Sequence, residues 1–125
     1  MADPDYPFVP KSNRHLRAGQ FWAVPLQDGR FACGRVMTPS VRISPRAGFV
    51  AGLMDWVGDA PPTASALAGR GVLRQGHAHV KTIVNTGGEV LGCRDLDEDG
   101  LVAEPDPEST WGFMFIVRLA ERAFG

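Results

Sequence analysis

Cysteine, tyrosine and histidine are all scarce in this chain, which holds two, one and three of them in 125 residues. Cys33 and Cys93 form neither a CxxC pair nor a disulfide framework, so we predict reduced thiols. No apolar run approaches the roughly 20 residues of a membrane-spanning helix. The N-terminus, MADPDYPFVPK, also lacks the apolar core of a signal peptide. These absences predict a cytoplasmic protein with no membrane partner.

The motifs of common enzymes are missing as well, since the chain contains no GxSxG, HExxH or P-loop pattern. Cys33 is expected inside a strand as a small core residue, and Cys93 has no identifiable base beside it. His77 and His79 could share a strand face, but Lys81 would continue that face and repel a metal cation. We therefore predict no enzyme activity, no catalytic residues and no cofactor, with a ribonuclease-like activity as the alternative.

Turn-forming residues are abundant, because 15 glycines and 10 prolines make up a fifth of the chain. The short apolar stretches between them predict a mainly β fold: a small curled antiparallel sheet, or a partly open SH3-like barrel of five or six strands, with one or two short helices. Residues 1–18 are predicted to be an arm pinned by Tyr6, Phe8 and Val9, and residues 19–125 a single domain. The predicted strands are 20–26, 30–37, 47–56, 78–84, 89–92 and 111–119, with helical turns at 64–68 and 120–125.

The clearest local signal is Asp28-Gly29, a dipeptide that favours a two-residue hairpin turn. With that loop, Trp22 faces Arg35 and Val24 faces Cys33 across the two strands. An indole under a guanidinium is worth about 0.5–1 kcal/mol at an exposed site. We therefore predict Trp22 and Arg35 as partner-binding residues, the alternative being a core Trp with Arg35 extended to solvent.

Charge is distributed unevenly along the chain, although the net charge is only −1. Residues 1–94 hold eleven basic and six acidic side chains, whereas residues 95–108 hold seven acidic side chains and no basic one. Such separation favours steered association with a basic partner, unless the acids pair with the chain's own arginines. The acidic residues predicted to bind a partner are Asp95, Asp97, Glu98, Asp99, Glu104, Asp106 and Glu108.

The same segment matches part of a calcium loop. Asp95, Asp97, Asp99 and Asp106 occupy ligand positions one, three, five and twelve, with a glycine at position six. The glycines before it and the prolines after it do not suit the two helices that flank such loops. Calcium binding is therefore a minor alternative, and no metal is predicted.

Nucleic-acid binding would have to use basic residues that are scattered over predicted loops. They have little aromatic interleaving, and the sequence pI is near 6.3. We expect ordinary surface charge and no nucleic-acid partner. These residues are Lys11, Arg14, Arg17, Arg42, Arg46, Arg70 and Arg74.

The segment LRAGQFWAVPLQDGRFACGRV, residues 16–36, resembles the opening of immunity protein family 26 from bacterial polymorphic toxin systems. Members of that family start with the pattern G-D-x-F-A-x-P-L-x-D-G-x-Y-A-x-G-R-V. Gln20 replaces the usual acid, and Phe31 stands for the Tyr. Residues 49–55 and Pro61-Pro62-Thr63 are similar to the family's apolar strand and the turn after it.

This resemblance implies an immunity protein that binds and neutralises a cognate toxin by protein–protein contact, without a cofactor. It brings no catalytic residue with it. A small-barrel nucleic-acid-binding or ribonuclease-like protein is the alternative function, and a calcium-binding module is a third. The sequence leaves the oligomeric state open.

Overall fold

The computed structural model describes residues 5–39, 48–105 and 107–125, and its centre is one antiparallel sheet with strand order β4-β3-β2-β1-β5. The strands are β1 Gln20–Pro25, β2 Phe31–Thr38, β3 Phe49–Gly58, β4 Val72–Ala78 and β5 Val90–Cys93. The helices are α1 Lys81–Val84 and α2 Phe115–Phe124, and short 3-10 turns span Asn13–His15, Ser65–Leu67 and Leu96–Asp99.

The predicted mainly β class and small antiparallel sheet are confirmed. Within the described ranges, β4 and β5 are the outer strands and do not pair with each other, so the sheet stays open. A search of those ranges for a helix with the length and apolar character needed to cross a membrane finds none.

The β1–β2 hairpin is present, but its loop has three residues instead of the predicted two. The Leu26 N–H donates to the Arg30 carbonyl at 2.9 Å, which leaves residues 27–29 as the loop. Gly29 has φ of 88°, the left-handed conformation that closes a three-residue loop. The Asp28 carboxylate accepts from the Arg30 backbone N–H at 3.0 Å and from its Nε at 2.7 Å, which fixes the turn.

Because the loop has one residue more than predicted, the register of the two strands differs by one residue from the predicted one. Such a shift changes which side chains face each other and which face of the sheet they share. Trp22 faces Gly34 instead of Arg35, and Arg35 faces Phe21. The indole of Trp22 lies against the bare backbone of Gly34, where a side chain would overlap the ring. The predicted Trp22–Arg35 pair is therefore wrong, because the two side chains lie on opposite faces of the sheet.

One face of the sheet packs against α2. The Trp22 and Phe49 rings meet edge to face there, with centroids 5.9 Å apart. The buried residues of α2 recur at helical spacing, which turns one side of the helix to the sheet. Residues of this core include Trp22, Val24, Val36, Phe49 and Leu53 from the sheet and Ile116, Leu119 and Ala120 from α2.

The opposite face is covered without a long element. Leu67 of the second 3-10 turn packs with Phe21, Cys33 and Met54. Leu96, from the acidic segment, packs with Met37 and Val50. Both faces of the sheet are thus occupied, one by a helix and the other by turns.

Two predicted strands are wrong. Residues 111–119 were expected in a central strand, but α2 begins at Phe115, and its polar side appears only when residues 118–122 are included in the pattern. Residues 78–84 were also expected in a strand, but β4 lies earlier, at 72–78, and α1 follows it. β4 contains Arg74, Gln75 and His77, and these polar residues hide the apolar pattern expected of a strand.

The smaller predicted elements fare better. The 3-10 turn Ser65–Leu67 lies within the predicted helical turn, and the Thr63 hydroxyl accepts from the Ala66 N–H at 3.2 Å. β5 is a strand as predicted; it follows α1 and pairs with β1. β3 covers most of predicted strand 47–56, of which residue 47 lies outside the described ranges.

Both outer strands are bridged by single residues from other parts of the chain. Phe8 forms an antiparallel bridge to Val90 of β5. On β4, the His77 N–H donates to the Ser109 carbonyl at 2.9 Å, and the Trp111 N–H donates to the His77 carbonyl at 2.7 Å. Such bridges cover edges that could otherwise pair with another chain.

The N-terminal segment is held to the sheet by Gln20. Its Nε2 donates to the Tyr6 hydroxyl at 3.2 Å and to the His15 carbonyl at 3.3 Å. Tyr6 and Phe8 pack against the core as predicted, but Val9 is 54% exposed and does not pin the segment. The amide at position 20 supplies these donors, which a carboxylate could not.

We expect Gly34→Ala to lower the free energy of unfolding by about 1–3 kcal/mol, because the new methyl group would overpack against Trp22. Urea denaturation followed by tryptophan fluorescence measures this change. Gly71→Ala is the matched control, since nothing lies within 4 Å of its added methyl group. Equal stabilities of the two variants would contradict the tight Trp22–Gly34 contact.

Candidate partner-binding site

The acidic segment is a shaped surface feature and not a free loop. The Asp95 carboxylate caps the 3-10 turn Leu96–Asp99 by accepting from the Asp97 N–H at 3.4 Å. Gly100, with φ of 67°, ends that turn. Leu96 is buried and Leu101 is half-buried against the sheet. The apolar residues thus anchor the segment while most of its acids point outward.

A two-pronged ion pair fixes the start of the segment. Arg94 donates through Nε and a terminal nitrogen to the two Asp99 oxygens, at 2.7 and 3.0 Å. Asp99 also accepts from the Gly69 N–H at 2.9 Å, and its side chain is only 4% exposed. Arg94 contacts Glu98 at 3.2 Å as well. Paired hydrogen bonds of this kind fix orientation as well as charge.

These contacts shift the protonation of both partners. The hydrogen bonds from Arg94, followed by the one from Gly69, lower the pKa of Asp99 to about 2. The same hydrogen bond to Asp99 raises the pKa of Arg94. Asp99 therefore stays ionised through acid conditions that protonate an ordinary carboxyl.

Gln75 of β4 clamps the end of the segment. Its Oε1 accepts from the Glu104 N–H at 2.8 Å, and its Nε2 donates to the Val102 carbonyl at 3.0 Å. The side-chain amide thus forms the two kinds of hydrogen bond, one donated and one accepted, that a neighbouring strand would form with this backbone. Val102, whose backbone is held in this way, leaves its side chain 78% exposed.

The predicted acidic surface divides into two groups. Asp99 is structural and bound to Arg94, which matches the alternative that the acids pair with the chain's own arginines. Glu98 belongs both to the structural group and to the exposed group, since it contacts Arg94 while remaining exposed. Asp106 lies outside the described residues. The exposed acids are Asp95, Asp97, Glu98, Glu104 and Glu108.

The calcium-loop interpretation does not fit this geometry. Asp99, expected as a ligand, directs both oxygens at Arg94, and Asp95 caps its own turn. In the described ranges, no three His, Cys, Asp or Glu side chains are grouped so as to hold a metal ion.

Trp22 and Arg35, predicted as exposed partner contacts, lie inside the protein. Both are 0% exposed. Arg35 donates from Nε to the Gly19 carbonyl at 2.9 Å and from a terminal nitrogen to the Arg94 carbonyl. Burial lowers the pKa of Arg35. The guanidinium therefore links the start of β1 to Arg94, the residue that precedes the acidic segment. The sequence did not indicate this role, because the predicted register paired Arg35 with Trp22.

The remaining predicted chemistry is dispersed. Cys33 is buried beside Arg35, and desolvation raises its thiol pKa. His79 is exposed, and its Nδ1 accepts from the Lys81 N–H at 3.1 Å. His77 is half-buried in β4, so these two histidines do not share an open strand face.

Cys93 is exposed at a cleft of about 430 Å³, lined by Tyr6, Arg17, Ala18, Cys93 and Asp95. The described basic residues considered for nucleic-acid binding come from two separate parts of the chain. Lys11, Arg14 and Arg17 belong to the N-terminal segment, and Arg70 and Arg74 lie around the start of β4. Arg42 and Arg46 fall outside the described residues.

Comparison with known proteins gives this chain no relatives. No protein-family model matches it, no curated protein matches it, and no solved structure matches it.

The lowered pKa of Asp99 predicts a defined loss of stability in acid. A carboxyl with a lowered folded-state pKa stabilises the fold above its unfolded pKa of about 3.8, and this contribution disappears as pH falls toward about 2. We expect wild type to be more stable than Asp99→Asn above about pH 5, and this difference to shrink between about pH 4 and 2. Urea titrations across pH measure it, with Glu104→Gln as the exposed control. A difference that is constant down to pH 2 would contradict the Arg94–Asp99 assignment.

Arg35→Met tests the buried guanidinium. Met fills the space but leaves the Arg94 carbonyl without its donor, so we expect the free energy of unfolding to fall by about 1–3 kcal/mol. Arg118→Met, on the exposed side of α2, should change it little. A more stable Arg35→Met protein would mean that the desolvation cost exceeds the value of the hydrogen bonds.

Proposed function

We propose that this chain is an immunity protein that binds and neutralises a cognate bacterial toxin by protein–protein contact, through its acidic segment. The observation that carries the proposal is that the segment is rigidly mounted while its acids stay exposed. A prearranged charged surface loses little conformational entropy when a partner binds.

The residues that hold the acidic segment in place differ from those that provide its exposed charge. Leu96 and Leu101 anchor the segment in the core, Asp99 pairs with Arg94, and Gln75 holds the backbone near Glu104. None of these contacts uses the carboxylates of Asp97 or Glu104. Those groups remain available to a basic partner surface, and they also favour rapid, salt-dependent association.

The residues that resemble immunity protein family 26 support the same distinction between structural residues and partner-binding residues. Gly19 has φ of 98° and lies against the Arg94 carbonyl, where a side chain would not fit. Gly34 accommodates Trp22, and Arg35 is buried. The shared pattern is thus explained by packing and backbone conformation. A surface that recognises one particular toxin would then lie outside it, as the acidic segment does.

A basic toxin surface is the chemically matched partner. Toxins that act on nucleic acid need basic clefts for phosphate, and a row of carboxylates can occupy such a cleft. A large secreted toxin encoded directly upstream of this gene would be the first partner to test, by co-expression and growth rescue.

The binding test neutralises the exposed acids and spares Asp99. In the triple variant Asp97→Asn, Glu98→Gln, Glu104→Gln, we expect the association rate with that toxin to fall about tenfold or more at low salt, with a weaker salt dependence. Surface plasmon resonance at several salt concentrations measures both effects.

A charge-matched control carries Asp5→Asn, Asp59→Asn and Glu89→Gln, three exposed acids elsewhere on the protein. It should associate nearly as fast as wild type. If both triple variants slow association equally, net charge is responsible, and if neither does, the acidic segment is not the toxin-binding surface.

A further inference from the structure

A groove between β4 and α2 has no role in the proposed toxin contact. It has a volume of about 200 Å³ and is lined by Leu53, Leu73, Arg74, Leu119, Arg122 and Ala123. Leu53 and Leu119 belong to the core on the helix-covered face, whereas the acidic segment covers the opposite face. A partner in this groove would therefore not compete directly with one on the acidic segment.

A β-bulge directs Leu73 into the groove. Leu53 pairs with Arg74, but the next residue of β3, Met54, pairs with Val72. Leu73 is thus the extra residue of β4, and bulges of this kind redirect a side chain. The result is a leucine that is 49% exposed beside an apolar floor.

The groove is flanked by positive charge. Arg74 and Arg122 line it and are exposed, and neither forms a recorded salt bridge within the described part of the chain. Arg118, one helical turn before Arg122 on α2, is also exposed. Asp55, two residues after Leu53 on β3, forms no ion pair with these described arginines. An apolar floor between arginines matches a ligand that has both apolar side chains and carboxylates.

We propose that this groove docks an acidic amphipathic segment of a second partner protein, with an apolar side chain over Leu73 and Leu53 and carboxylates on Arg74 and Arg122. The described residues that line the groove include no aromatic side chain on which a base could stack, which favours a peptide over nucleic acid. The apolar side chain of the bound segment would cover Leu73, and the contacts of its carboxylates with Arg74 and Arg122 would set its orientation.

The test uses short fluorescein-labelled peptides and the full chain. The probe carries two leucines four positions apart, surrounded by glutamates; one control peptide has serines for the leucines and another has glutamines for the glutamates. We expect saturable binding of the probe, with both controls at least about tenfold weaker. Backbone NMR shifts caused by the probe should concentrate on residues 73–74 and 119–123.

Two variants test the groove directly. Leu73→Ser and Arg122→Glu should each weaken the probe about tenfold or more, while the matched surface controls Val102→Ser and Arg14→Glu bind it as wild type does. Both groove residues are exposed, and circular dichroism checks that the variants fold. Failure of wild type to bind the probe, equal binding of the serine peptide, or wild-type binding by both groove variants would overturn the proposal.

The other possible occupants give distinct results. Displacement of the probe by single-stranded DNA would reassign the groove to nucleic acid, and concentration-dependent sedimentation lost in Arg122→Glu would reassign it to a second copy of this chain. Either result overturns the proposal. None of these measurements requires the toxin, so they stand or fall separately from the immunity function.

Discussion

The buried guanidinium of Arg35 is the constraint on which the arrangement of this molecule depends. It lies in β2 and forms no ion pair with a carboxylate of the described residues; it donates to the carbonyls of Gly19 and Arg94 and to the Met54 sulfur. A buried charge is costly unless its polar groups are satisfied. These carbonyls must therefore stay in place, which holds the start of β1 and the end of β5 together and sets where the acidic segment leaves the sheet.

The counter-charge reaches Arg35 through a neighbour. The Arg94 carbonyl accepts from Arg35 and the Arg94 side chain pairs with Asp99, so one residue connects the buried cation with the structural carboxylate. The attraction of Asp99 raises the pKa of Arg35, although burial is the larger effect and lowers it. The core charge and the acidic segment are thus parts of one network, which explains why one acid of the segment is buried.

The sequence predicted the sheet better than its details, and the reasons are physical. Asp28-Gly29 identified the hairpin, but the same dipeptide can end a three-residue loop, and only the packing of Trp22 on Gly34 selects that register. The strand prediction for residues 111–119 failed because an apolar run has no visible period. The helix became recognisable only from Arg118 and Arg122 beside Leu119. β4 was missed because its polar residues, Arg74 and Gln75 among them, obscured the apolar alternation of a strand. The hydrogen bonds of Gln75 to the backbone of residues 102 and 104 are tertiary contacts that a local pattern does not contain.

The sequence located the acidic segment, but it did not show which of its acids would be exposed and which would be held by the chain itself. Seven acids in fourteen residues were visible in the sequence, and five described ones are exposed. Which acid would turn inward depended on Arg94 and the Gly69 N–H, and Gly69 is thirty residues from Asp99. Arg94 and Glu98, four apart, were the only local hint of this pairing.

The covered sheet limits where any partner can bind. α2 occupies one face, turns and the acidic segment occupy the other, and single-residue bridges from Phe8 and Thr110 lie on the two outer strands. A partner of the kind proposed for either side would contact the residues outside these layers, which are acidic on one side and flanked by arginines on the other. The sheet lies between these two groups of opposite charge and keeps them apart.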